Sequence, residues 1–131
     1  MNIGIYSKNR ILETFSRWEV PHDFAQPFYN YLVYGWEPGS CFSAVLANDF
    51  YNAMSHSHPA NNVVSFKALV GWIRDIMPRE SYGSYHTVEE WTKLSASERR
   101  TSLENAGLVY SPEEEMILTL QGEPIKTPVL N

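Results

Sequence analysis

The tightest constraint on this chain is the punctuation within residues 34–59, YGWEPGSCFSAVLANDFYNAMSHSHP. Gly35 is a natural helix stop, because glycine enters the left-handed region without a Cβ clash. The residues Trp36-Glu37-Pro38-Gly39 are turn chemistry, and Ser40 follows with a side-chain oxygen able to accept from the first amides of a helix. From there Phe42, Val45, Leu46, Phe50, Ala53 and Met54 recur on one face, which predicts a continuous amphipathic helix through Met54 with Asn48 and Asp49 flanking its apolar stripe. His56-Ser57-His58-Pro59 then reads as a loop.

The same logic extends in both directions. Ile11, Leu12, Phe15 and Trp18 mark a first helix after Ser7. Phe24, Phe28, Tyr31 and Leu32 mark a second, whose start falls within residues 25–27 because Pro27 is tolerated only in a first turn. Asn62 is the expected cap of a fourth helix carrying Phe66, Leu69, Val70, Ile73, Ile76 and Met77, closed by Pro78. Thr87 and Glu90 suggest a capping box ahead of Trp91, and Ser95 is placed to cap a short helix that stops at Gly107. Two strands are expected: alternating Ile3 and Ile5 near the start, and Met116 to Leu120, which would pair with the first strand or with the segment around Ile125.

The expected fold is therefore mainly α within an α+β class: about five helices in one compact domain, with a small strand pairing near the termini. Residues 1–123 form the domain and 124–131 an extended tail. At 131 residues and 44% hydrophobic content, the chain can bury one ordinary core. The net charge of −5, with ten Lys and Arg that do not cluster, disfavours direct binding to a phosphate backbone. Cys41 is the single cysteine, which excludes an internal disulfide. No stretch approaches the length of a spanning helix, so a soluble, cytoplasmic protein without membrane contact is expected.

Several residue groups carry chemical options. His56 and His58 can ligate a divalent metal if His22 or His86 and a carboxylate such as Asp49 or Asp23 converge on them; a pair of loop histidines is the plainer reading. Cys41, in the first turn of a helix, can be activated by the amide dipoles or can simply pack. Asn48-Asp49 must find donors beside an apolar stripe, and so either locks helices together or binds a ligand. Glu113, Glu114 and Glu115 form the one tight acidic run, which leaves mimicry of nucleic acid open. The aromatic middle of the chain offers large contact area at small entropic cost. Tyr34, Trp36, Asn48, Asp49, Tyr51, Tyr82 and Tyr85 are accordingly the candidate interaction residues, and a homodimer through the aromatic helices is an option.

The run Tyr34-Gly35, Pro38-Gly39-Ser40, Ala44-Val45-Leu46, Asn48-Asp49, then Asn62, Pro78, Gly83-Ser84 and Trp91 resembles small uncharacterised proteins encoded by tailed phages and prophages. Cys41-Phe42 departs from the aromatic or apolar pair expected there. The resemblance implies a phage accessory protein in the host cytoplasm, acting on a host or phage macromolecule, including a host-defence system it inhibits. The function expected is a non-catalytic protein-interaction module without a cofactor, binding a host or phage protein. The alternative is a small metal-dependent enzyme or ligand binder built on His56, His58 and Asp49.

Overall fold

Apolar residues at helical spacing recur along most of the chain, and in a computed structural model, which describes residues 2–56 and 63–122, they form helices throughout. Among the described residues there are eight α-helices and no strand: α1 (Ile5–Arg17), α2 (Ala25–Tyr29), α3 (Ser40–Leu46), α4 (Phe50–Ser55), α5 (Val63–Ile76), α6 (Tyr85–Lys93), α7 (Ala96–Asn105) and α8 (Pro112–Leu120). Short 3-10 turns at His22–Phe24 and Arg79–Ser81 join them, and a π-turn at Asn30–Tyr34 prolongs α2.

The α+β expectation is thus corrected at both ends. Ile3 and Ile5 alternate over too few residues to hold a strand, and Ile5 already opens α1. Met116 to Leu120 lie in α8, where strong local start signals outrank the β preference of the segment. Ser111 and Glu114 form a reciprocal capping box, Pro112 occupies the first helical position, and three glutamates sit at the positive end of the helix. α8 is then held on α1 by Glu115, whose carboxylate accepts from the Ser7 amide at 2.8 Å and the Ser7 hydroxyl at 2.7 Å. The helix count also exceeds about five: the predicted third helix is two helices, the segments around Trp91 and before Gly107 are each a helix of their own, and α8 is added.

The core is aromatic. Trp72 of α5 packs on Phe15 of α1 at 4.4 Å and edge-on to Phe28 of α2 at 5.8 Å, between ring centroids. Its indole donates to Thr14 Oγ1 at 2.9 Å. On the other side Trp91 of α6 lies against Tyr31 and donates to the Tyr31 carbonyl at 2.9 Å, while the Tyr31 hydroxyl donates to the Ser81 carbonyl at 2.7 Å. The segment from α2 through the π-turn is the hub, with Phe28, Tyr31, Leu32 and Val33 all fully buried. Burial drives the Tyr31 phenol pKa well above its ordinary value; burial followed by the neighbouring Tyr34 does the same for Tyr29. The aromatic helices expected to offer a dimer face have therefore placed Tyr29, Tyr31, Trp72 and Trp91 inside.

Gly35 ends the hub at φ 71°, against the buried Arg99 of α7. Arg99 donates from Nε to the Val33 carbonyl at 3.2 Å and from Nη1 to the Leu94 carbonyl, so one side chain serves the exposed carbonyl ends of two helical segments. Ser95 caps α7 as expected, Glu98 completes a reciprocal capping box with it, and Gly107 follows that helix at φ 76°. Two caps fall elsewhere than expected. Ser84 rather than Thr87 caps α6, accepting from the Thr87 amide, and α3 starts from Gly39 with no side-chain cap, leaving Ser40 as its first residue. The expected Asn62 cap, His58, the Ile125 segment and the tail 124–131 lie outside the described residues.

Candidate interaction site

The predicted third helix breaks at Asn48-Asp49. Asn48 takes φ 63°, a left-handed conformation that its short polar side chain tolerates better than most. Asp49 then caps α4, with Oδ1 accepting from the Asn52 amide at 3.2 Å and Oδ2 from the Asn52 side chain at 2.6 Å. The Tyr85 hydroxyl adds a bond to Oδ2 at 2.7 Å, tying α4 to α6. That bond from Tyr85, followed by those from Asn52, lowers the carboxyl pKa, and the same bond raises the Tyr85 phenol. Of the two options open for Asp49, the helix lock is the one its contacts fulfil.

The break re-aims the second half of the apolar stripe. Phe50, Ala53 and Met54 face Val63, Phe66 and Val70 of α5 across a groove of about 360 Å³. Ala53 and Phe66 are buried in its floor, whereas Phe50 is 71% and Val63 66% exposed on its rim. The polar residues of the lining are Asn48 and Asp49, from the turn, and Lys67 from α5. A continuous helix would have put Phe50 on the same buried face as Phe42 and Leu46, which is why periodicity alone missed the groove. An Asn-Asp pair ahead of an aromatic run was the available signal, since asparagine suits left-handed turns and aspartate suits caps.

Of the expected interaction residues, Tyr34 and Trp36 form one stacked pair, 5.0 Å between centroids and 27° between planes, with Trp36 58% exposed. Asp49 and Tyr85 form a second, hydrogen-bonded pair. Tyr51 projects from α4 at 80% exposure, while Tyr82 is half-buried against the core. Asn48 and Asp49 line the groove; none of the five expected aromatic residues does.

The metal option gains little from the geometry. Asp49 is engaged as a cap, His56 is exposed at the end of α4, and His22 Nε2 meets Ser16 Oγ at 3.1 Å. Among the described residues no three His, Cys, Asp or Glu side chains converge on one point. Cys41 is half-buried, donates to the Ala53 carbonyl at 3.4 Å, and has its thiol pKa raised by burial, opposite to the activation a helix start can provide. Glu114 and Glu115 are occupied in capping α8 and holding it on α1, which removes two of the three carboxylates considered for nucleic-acid mimicry.

No protein family, curated protein or solved structure matches this chain. Among the described residues no helix is long and apolar enough to cross a membrane.

Proposed function

We propose that this protein is a non-catalytic interaction module that receives the apolar side chains of a partner protein in the groove between α4 and α5. The observation that carries the reading is the exposure of Phe50 and Val63 on either side of a floor made by Ala53 and Phe66. Large side chains left in water around a concave apolar floor mark a binding surface more often than a solvent face. The occupant is a short amphipathic segment with two apolar anchors and an acidic residue opposite Lys67, docked as a helix or extended strand docks in an apolar groove. The stacked Tyr34 and Trp36 stand outside the groove and offer a separate contact. The resemblance of residues 34–91 to small phage and prophage proteins supports an accessory protein whose partner is a host or phage protein, a host-defence component among them.

The test compares wild type with Phe50→Glu, Val63→Glu and Trp36→Ala after confirming equal melting temperatures. A partner captured from host lysate and then purified should lose at least about tenfold in affinity for both groove variants, and little for Trp36→Ala. Equal binding by Phe50→Glu, Val63→Glu and wild type sinks the proposal. So does a concentration-dependent dimer abolished by Phe50→Glu, which would make the occupant a second copy of this chain.

A further inference from the structure

The turn that carries Trp36 folds back beside the first turn of α2 and leaves a groove of about 370 Å³ that shares no lining residue with the groove between α4 and α5. Gln26, Pro27 and Asn30, at i, i+1 and i+4, form the α2 side, and Trp36, Glu37 and Pro38 form the other. The Trp36 amide donates to the Asn30 carbonyl at 3.3 Å, which ties the two sides together. One face of the indole is stacked on Tyr34, and Tyr34 in turn meets the buried Tyr29 edge-on, 6.0 Å between centroids and 74° between planes. A ring that is still 58% exposed is thus fixed in place by its neighbours. A ligand that packs on it has little ordering entropy to overcome.

The hydrogen-bonding groups of the groove narrow what that ligand is. Trp18, Trp72 and Trp91 donate their indole N–H groups to Asp75, Thr14 and the Tyr31 carbonyl. Trp36 is the exception, with no acceptor for its indole N–H among the described residues. The Asn30 carboxamide engages its oxygen with Gln26 Nε2 at 2.9 Å, and its own N–H groups have no acceptor among the described residues. The groove therefore sets donors beside the ring surfaces of Trp36, Pro27 and Pro38, and Glu37 is the one charged residue of its lining. A polyproline II segment answers these features together: its carbonyls make no internal hydrogen bonds, its proline rings pack on apolar ring walls, and it is stiff before it binds. Glu37 complements a lysine or arginine carried by such a segment and opposes a phosphate backbone. We propose that this groove binds a proline-rich segment of a partner protein in the polyproline II form, with a basic side chain beside Glu37.

The experiment titrates isotope-labelled full-length protein with three blocked peptides. They are acetyl-Pro-Pro-Pro-Arg-Pro-Pro-amide, the same peptide with glutamate in place of arginine, and acetyl-Gly-Ser-Gly-Arg-Gly-Ser-amide, which keeps the charge and loses the stiffness. The proline-arginine peptide should give saturable shifts at the amides of residues 26–30 and 34–38 and at the Trp36 indole N–H, and the glycine-serine peptide should bind at least about tenfold more weakly. Trp36→Ala should weaken the proline-arginine peptide by at least about tenfold. Trp36→Phe, which keeps a ring and removes the donor, should weaken it by about two- to tenfold. Glu37→Gln should cost the arginine peptide about two- to fivefold and the glutamate peptide nothing. Phe50→Glu should leave this binding unchanged, since Phe50 belongs to the other groove. Four results overturn the proposal: no saturation by the proline-arginine peptide, equal affinity for the glycine-serine peptide, affinity unchanged in Trp36→Ala, or a loss in Phe50→Glu as large as in Trp36→Ala. Self-association abolished by Trp36→Ala overturns it as well, because the occupant is then a second copy of this chain.

Discussion

Gly35→Ala is the substitution for which the geometry gives the sharpest expectation. At φ 71° an alanine is in the left-handed region, which costs about 1–2 kcal/mol. Its Cβ would also stand 2.8 Å from Arg99 Nη1, 3.0 Å from Arg99 Cζ and 3.2 Å from the Thr92 carbonyl oxygen. Arg99 is buried and bonded to the Val33 and Leu94 carbonyls, so it cannot retreat without stranding one of them. Overpacking of this kind costs about 1–3 kcal/mol, which brings the total to about 2–5 kcal/mol. At roughly 2.1 cal/mol/K of unfolding entropy for each of 131 residues, one kcal/mol corresponds to a shift of about 3.6 °C, and the melting temperature should fall by about 7–18 °C. Gly107→Ala is the control. Gly107 has nearly the same φ, 76°, but only Arg10 Nη2 within reach, at 3.8 Å. It should therefore show the strain alone, a fall of about 4–7 °C. Thermal unfolding followed by circular dichroism measures both, and equal losses in the two variants refute the role assigned to Arg99.

Two other expectations rest on the same contacts. Tyr85→Phe should lower the melting temperature near pH 7 by removing the bond to Asp49. Because the Asp49 pKa is depressed and that of Tyr85 raised, this stabilisation is present between the ordinary carboxyl and phenol ranges. The gap between wild type and Tyr85→Phe should close as pH falls through the lowered carboxyl pKa or rises through the raised phenol pKa; a gap constant from pH 3 to 7 would contradict the assignment. Trp72→Phe should cost about 1–3 kcal/mol in urea unfolding, since it opens a small cavity beside Phe15 and Phe28 and removes the indole bond to Thr14. A loss below about half a kcal/mol would mean that the core closes around the smaller ring.

The candidate groove shows how far residue patterns reach. Asn48 and Asp49 stood out in the sequence because a carboxylate beside an apolar stripe must find donors, and the structure supplies them from Asn52 and Tyr85. Asn52 is three residues away and within reach of local reasoning, whereas Tyr85 lies 36 residues on and is brought in only because α3 packs on both α4 and α6. Phe50 and Val70 were assigned to buried faces by periodicity. Hydrophobic spacing shows which residues share a face, but what covers that face depends on the neighbouring element.

What the sequence by itself determined about this protein is its local punctuation: helix stops at Gly35 and Gly107, the Ser95 cap, and a helical rather than sheet-like majority. These signals are legible because each is settled among residues within one or two turns, by backbone freedom or by a side chain reaching its own helix start. Even there α8 was misread, since the β preference of its apolar residues was weighed above the Ser111-Pro112 start. Tertiary structure alone decided that Trp72 and Trp91 are interior while Trp36 is exposed, that Arg99 serves carbonyls on two segments, and that Ser43 is buried in the wall of α3. Each of those outcomes depends on groups distant in the chain. Burial and hydrogen bonding across such distances are properties of the packed arrangement, which no window of neighbouring residues contains.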